Sequence, residues 1–415
     1  MFVIGKVSRE RWEGNVKSME IIAKPHDQVT ESDIEFLRKN YTSAGGLLPN
    51  AFAGGAFFTP THVAKFVWQT LYNRLPSNPR VLEPSVGSGV FLEHAPSDAE
   101  ITALELDETS AKVTSLLYPQ ADIVMGDALT HERRNYYDLV IGNPPYGVGC
   151  EFEPFDDDEW VSGSKAKGKR KGKSEVLFIE LAIKAAKPGG YIAFVLPKGL
   201  AFANYAEKLR KYMHETCWQV ATIFLPGETF VHVGTTIETQ IIILRKAPPG
   251  TPLIDVVTQR WGSNFRRSDY NDITQFGAKF LPGQPPSYFA KVTDIGWDKK
   301  GVMRPNEDGL TQLDELLEDF TDGGLMRENL YPHLPSWHGV DKGNEAFFFS
   351  HGNDSCDGHR DAASTFSSGP YRWNELTLGA GNEFEYNGVE YSSWVDDQEA
   401  LQNRIVDEYY AEVGE

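Results

Sequence analysis

The apolar positions of this chain fall into short runs of strand length, separated by longer stretches with a helical repeat. One run begins at Val81, and six more span 101–106, 123–125, 137–141, 191–196, 220–225 and 239–244, most of them bounded by Gly, Pro, Asn or Asp. Between them the period changes. Val63, Phe66, Val67, Thr70 and Leu71 recur at helical spacing after Thr59-Pro60, and Val176, Phe178, Ile179, Leu181, Ala182 and Ile183 predict an amphipathic helix over 174–187, stopped by Pro188-Gly189-Gly190. Thr30 is placed to cap a short helix over 31–38, residues 41–46 read as a loop, and 310–320 reads as one acidic helix. Strands alternating with helices predict an α/β fold: a seven-stranded, mostly parallel sheet with helices on both faces.

A change in composition after Lys246-Ala247-Pro248-Pro249-Gly250 sets the domain boundaries. Residues 1–50 form an N-terminal segment, 51–247 the α/β domain, and 248–415 an irregular acidic C-terminal region available for docking a nucleic acid or protein partner. Within it, 339–381 has little periodicity and reads as extended or partly disordered. No apolar run approaches the roughly 20 residues that span a bilayer. The first residues lack signal-peptide architecture, so a cytoplasmic protein is expected.

Cysteine usage adds little, because Cys150, Cys217 and Cys356 are too scattered for a disulfide framework. His351, Cys356 and His359 fit no zinc spacing, and no metal is expected. Charge matters more. A formal net charge of −19 argues against a protein that coats nucleic acid unaided, since phosphate contacts supply most non-specific affinity. Any DNA binding must then be local or delivered by a partner.

The candidate chemistry lies at the strand ends. The run from Val81 passes into Glu83-Pro84-Ser85-Val86-Gly87-Ser88-Gly89, the second ends at Glu105 and Asp107, the third at Gly126-Asp127-Ala128, and the fourth at Asn143-Pro144-Pro145-Tyr146. Ligands of open α/β sheets bind at that edge, and a carboxylate about 20 residues past a glycine-rich turn suits ribose hydroxyls. Upstream, Gly55-Ala56-Phe57-Phe58-Thr59-Pro60 opens a helix whose free N–H groups suit a carboxylate.

The polar-Pro-Pro-aromatic loop suits recognition of a planar exocyclic amine. If the Asn143 side-chain oxygen and the Pro144 carbonyl accept the amine hydrogens, electron density on nitrogen rises as the transition state forms. Pro144 and Pro145 fix φ, and Tyr146 offers a face for an extruded base. A rigid turn after a strand is the bland alternative. The run Lys165, Lys167, Lys169, Arg170, Lys171 and Lys173, interleaved with glycine, reads as a mobile segment that either grips phosphates or balances the acidic stretch before it.

In this order the motifs resemble the N6-adenine DNA methyltransferases, amino-methylating enzymes whose cofactor motifs precede the catalytic one. The resemblance covers roughly 41–247 and implies a Rossmann-like fold that binds S-adenosyl-L-methionine. By resemblance, Phe57, Thr59 and Pro60 belong to the N-terminal cofactor motif, and Glu83, Pro84, Ser85, Gly87 and Gly89 to the glycine-rich one. Glu105 would hold the cofactor's ribose hydroxyls, and Asp127 with Ala128 its adenine. Asn143 would touch both cofactor and target, and Phe230 in Gly227-Glu228-Thr229-Phe230 would stack on the flipped adenine opposite Tyr146.

Segment 36–47 further resembles a branch found in phages and mobile elements, and 294–301 a tract in modification subunits of multisubunit restriction systems. The implied role is restriction-modification or self-protection, with DNA and a specificity subunit as partners. Alternatives stay open: an RNA-base or protein-glutamine N-methyltransferase, and a cofactor-binding assembly subunit inactive without its specificity partner.

Overall fold

The computed structural model describes residues 6–44, 58–155, 159–201, 203–251, 288–297, 311–321, 384–386, 389–391 and 395–414. Four parallel strands form the half of the sheet that carries the strand-end motifs: β1 (Arg80–Glu83), β2 (Glu100–Glu105), β3 (Asp122–Met125) and β4 (Tyr137–Gly142). The other half holds β8 (Ala186–Pro197), β9 (Cys217–Leu225), β10 (Thr239–Lys246) and β11 (Tyr288–Lys291). The order is β11-β9-β10-β8-β4-β1-β2-β3, and β10 alone runs antiparallel to its neighbours. This is the expected Rossmann-like sheet with eight strands rather than seven. The eighth, β11, pairs parallel to β9 from beyond the proline-rich boundary at 247–250.

Strand alternation divides the core in two. Val81, Leu139, Ile141, Ala193, Val195, Ile241 and Ile243 face one side, where α3 (Thr61–Leu71) and α4 (Glu108–Leu117) pack. Leu82, Val140, Ile192, Phe194, Leu196, Ile242 and Leu244 face the other, against α5 (Ser174–Ala185) and α6 (Glu207–Thr216). Period-2 alternation thus sends successive apolar residues into opposite layers.

The N-terminal helices are longer than the sequence pattern predicts. A first helix, α1 (Lys6–Ile22), precedes α2 (Glu31–Ala44), which extends through part of the expected loop at 41–46. The Thr30 cap is present. Its Oγ1 accepts the Asp33 N–H at 3.2 Å while Asp33 accepts the Thr30 N–H at 2.9 Å, a reciprocal capping box. Ile21, Leu37 and Tyr41 then join the α3–α4 core.

Helix α5 is not amphipathic. Every residue in it except Lys184 is buried, because a small antiparallel sheet lies over its outer side. That sheet, β5 (Gly149–Phe152), β7 (Lys169–Lys173) and β6 (Ser164–Ala166), contains the basic run expected to be mobile. The run folds because Lys167 and Gly168 take φ of 51° and 81°, the two-residue turn that closes a hairpin with native twist. Phe152 and Trp160 anchor it to α5. Helix α5 stops at Ala185, and β8 begins at once at Ala186, where the backbone turns extended, so Pro188-Gly189-Gly190 lies inside a strand with irregular register.

Beyond the boundary, α7 (Gln312–Thr321) matches the expected acidic helix and packs Leu313 and Leu316 into the α3 layer. The last helix, α8 (Val395–Val413), returns to the main domain. Leu401, Ile405 and Val406 pack on Trp218 and Ala247. The Arg245 guanidinium donates to Gln402 at 3.1 Å and Asn403 at 2.7 Å. The segment expected to be irregular, 339–381, lies outside the described residues, as do His351, Cys356 and His359. Among the described residues no helix is long and apolar enough to cross a membrane.

Candidate active site

The sheet reverses its winding between β1 and β4. From β1 the chain steps outward to β2 and β3, then crosses back to place β4 on the other side of β1. Such a switch point leaves a crevice at the carboxyl ends of the strands. Glu83, Glu105, Asp127 and Asn143 all lie at this edge, at or just past the ends of β1, β2, β3 and β4.

The glycine-rich turn after β1 is closely packed. Gly87 and Gly89 have φ of 53° and 74°, and a Cβ on Gly89 would lie 2.4 Å from the Tyr118 ring. Only glycine fits there. The Gly87 N–H donates to Glu105 Oε2 at 2.7 Å, and the Asp107 N–H donates to Glu105 Oε1 at 2.8 Å. Asp107 is used differently: its carboxylate accepts the Ser110 N–H at 2.7 Å and caps α4. Both Glu105 oxygens thus accept backbone N–H groups, which fixes its carboxylate at the end of β2. Burial raises its pKa against the lowering effect of those N–H donors.

Glu83 lies deeper, at 1 % exposure, and its Oε2 has no hydrogen-bond partner among the described residues. Burial first, then the charge of Glu105, pushes its pKa well above the ordinary range. A buried carboxylate oxygen without a donor fits a cationic ligand. Pro84 is buried beside it, while Ser85 donates from Oγ to the Asn143 carbonyl at 3.3 Å and joins the turn to the loop after β4.

Asp127 caps a short 3₁₀ turn, accepting the Leu129 N–H at 3.0 Å, and Ala128 is buried under it. Thr59 and Pro60 are buried at the start of α3. Phe57 lies outside the described residues, but its neighbour Phe58 is 3.3 Å from where a Cβ on Gly87 would stand. The structure thus brings Glu83, Gly87, Glu105, Asp127 and Asn143 to one strand edge, with Phe58 beside Gly87.

Around Asn143 the picture departs from expectation. Asn143 and Pro145 are partly exposed, whereas Pro144 and Tyr146 are buried. The Tyr146 hydroxyl donates to the Asn143 side-chain oxygen and lies 3.1 Å from the Val195 carbonyl. Phe230 is 0 % exposed; it stacks on His232 at 6.5 Å and packs with Val233 in the core. Neither ring offers an open face to a base. Phe230 sits in a 3₁₀ segment, Gly227–Val233, whose apolar side chains turn inward.

The basic run is split by pairing. Lys171 lies 2.5 Å from Glu151 and Lys169 3.5 Å from it, while Lys173 donates to the Gly147 carbonyl at 2.9 Å. Lys165 and Lys167 are exposed, and Arg170 is partly so.

Sequence reasoning missed Leu106 and the first turn of α5. Leu106 is 74 % exposed between Glu105 and Asp107, an apolar side chain at the mouth of the crevice. Ser174 and Glu175 touch the Asn143 loop through Pro145 and Gly147; the available signal was two carboxylates, Glu175 and Glu180, inside a mostly apolar helix.

Residues 35–257 match the family described as N-6 DNA methylase. The defense against restriction protein B of Escherichia phage P1 is 26% identical over 252 residues, which is 58% of this chain and 10% of that protein. The type II methyltransferase M.CvrRI of Paramecium bursaria Chlorella virus XZ-6E is 27% identical over 203 residues, 48% of this chain and 50% of its own. Among solved structures, the type I restriction-modification system methyltransferase subunit from Streptococcus thermophilus is 19% identical with a TM-score of 0.44, covering 67% of this chain and 58% of that one. The chain spans half or less of the length of these two curated relatives.

Proposed function

The chain belongs to the N-6 DNA methylase family, and from that premise we propose that it transfers a methyl group from S-adenosyl-L-methionine to the N6 amine of adenine in DNA. One observation carries the reading. An amide oxygen, that of Asn143, is held by the Tyr146 hydroxyl at the same sheet edge as the unpartnered Glu83 oxygen and the Glu105 carboxylate. When bound, the cofactor supplies an electrophilic methyl carbon on a sulfonium.

The residues of the crevice fit that ligand. In this reading Glu105 would take the ribose hydroxyls, Glu83 the cationic part, and Leu106 with Asp127 the adenine ring and its amine; the burial of Glu83 and the exposure of Leu106 support it. Asn143 Oδ1 and the Pro144 carbonyl accept the target amine hydrogens, which raises density on nitrogen as the bond forms. Tyr146 serves by orienting Asn143. Stacking by Tyr146 and Phe230 would require both rings to leave the core and is not part of the proposal.

The net charge of −19 favours a second component that delivers DNA, and a specificity subunit has that chemistry. The test is incubation with methyl-labelled cofactor and duplex DNA, followed by digestion to nucleosides. Label in N6-methyldeoxyadenosine is expected. Label in RNA or in protein glutamine, or none after candidate specificity subunits are added, would overturn the reading.

A further inference from the structure

Glu175 lies beneath the loop that carries Asn143 without belonging to it. It is 2 % exposed in the first turn of a helix with an almost wholly buried surface. A carboxylate is tolerated there only if its oxygens are satisfied. Oε2 accepts the Gly147 N–H at 2.8 Å and Oε1 accepts the Tyr205 hydroxyl at 2.7 Å. Next to it, the Ser174 hydroxyl donates to the Pro145 carbonyl at 2.6 Å and accepts the Val148 N–H at 3.2 Å, while the Ser174 N–H donates to the Val148 carbonyl at 2.8 Å.

Two helix residues thus hold the chain at 145, 147 and 148. That grip has a reason. Pro144 and Pro145 carry no backbone N–H, so the loop can be fixed only through its carbonyls and through the amides that follow. Gly147 is also the point where the backbone turns, with φ of 68°. Its N–H must be held if the preceding residues are to keep one direction.

We propose that Glu175 is a positioning residue for the reaction at Asn143. It clamps Gly147 from below, and Tyr205, half-exposed on a separate 3₁₀ turn, secures its other oxygen. The inference rests on the reading of Asn143 given above. A carboxylate accepts on both sides at once, and this explains the residue type. A glutamine could still turn its oxygen to Gly147, since the Tyr205 hydroxyl can accept from the amide nitrogen.

The full chain and its Glu175→Ala and Glu175→Gln variants test this. Amide hydrogen exchange over 143–149 should speed up by about tenfold at 147–148 in Glu175→Ala, the effect of one charge-assisted hydrogen bond. Exchange over 239–246 should not change, and Glu175→Gln should resemble the parent. Methyl transfer at saturating cofactor should fall about 100-fold in Glu175→Ala, with cofactor affinity unaffected and activity recovered in Glu175→Gln.

Unchanged protection at 147–148 would overturn the clamp. A loosened loop with full activity would overturn the positioning role. Faster exchange over 239–246 as well would make Glu175 merely structural. A parent chain that transfers no label, with or without partner, would fell the Asn143 reading and the positioning role together, while the exchange data would still show whether the clamp exists.

Discussion

Tyr146 and Asn143 are joined by a side-chain hydrogen bond across the two prolines, with the phenol donating to the amide oxygen. With the phenol donating, the amide turns its oxygen toward Tyr146, and the Val195 carbonyl 3.1 Å away is a second acceptor for the same hydroxyl. The bond to Asn143 also occupies one lone pair of the amide oxygen. Tyr146→Phe keeps the buried ring but frees the amide to rotate. Turnover should drop by about 10–100-fold with cofactor affinity unchanged, and Asn143→Ala should drop it by about 1,000-fold. Steady-state kinetics with labelled cofactor checks both; equal activity of Tyr146→Phe and parent would show that the bond does not orient the amide.

If Glu83 meets the cationic part of the cofactor, binding should depend on pH. Burial, and then the nearby Glu105 charge, raises its pKa well above the ordinary carboxylate range. A cationic ligand prefers the carboxylate and lowers that pKa, so binding must expel a proton. Affinity should therefore rise with pH up to the raised pKa and level off above it, with a slope of about tenfold per pH unit at most. Calorimetry in buffers of different ionisation enthalpy should show proton release. Glu83→Gln should bind more weakly and flatten the profile; a sloped profile in that variant would assign the proton elsewhere.

The strands and their polar ends were legible because two simple signals coincide. Runs of successive apolar residues mark the strands at 137–141 and 239–244, and a carboxylate or amide recurs at or just past the ends of the first four strands. The pairings between distant segments were not legible. Arg245 reaches Asn403 across 158 positions, and no local pattern announces such a pair. The Leu401 and Ile405 spacing does mark one apolar face of α8, yet says nothing of Trp218 opposite. One misreading had a local remedy. Lys167-Gly168 carried a turn signal hidden by the surrounding charge. Phe230 was assigned to the target base by the resemblance of its loop, and the structure buries it with Val233 in the core.

Helix α8 should stabilise the catalytic domain even though it follows the long acidic region. Leu401 is 0 % exposed against Trp218, Ala247, Ile405 and Val406. Leu401→Ala leaves a cavity in that cluster and should cost about 2–5 kcal/mol. Urea unfolding should show a lower midpoint with the slope unchanged. An unchanged midpoint would mean that α8 is not docked in solution.

The small sheet beside the Asn143 loop should contribute to DNA binding through some of its cations and not others. Lys165 and Arg170 sit directly opposite each other on β6 and β7, and Lys167 stands at the turn that joins them. Lys171 pairs instead with Glu151 at 2.5 Å, so much of its charge is already compensated. Replacing Lys165, Lys167 and Arg170 together by alanine should weaken binding of duplex DNA of any sequence. The dependence of log K on log salt should also become shallower, by about 0.9 for each phosphate no longer neutralised. Lys171→Ala should change that slope much less. Fluorescence anisotropy over a salt series measures both, and a triple variant with the parent slope would remove this sheet from the DNA interface.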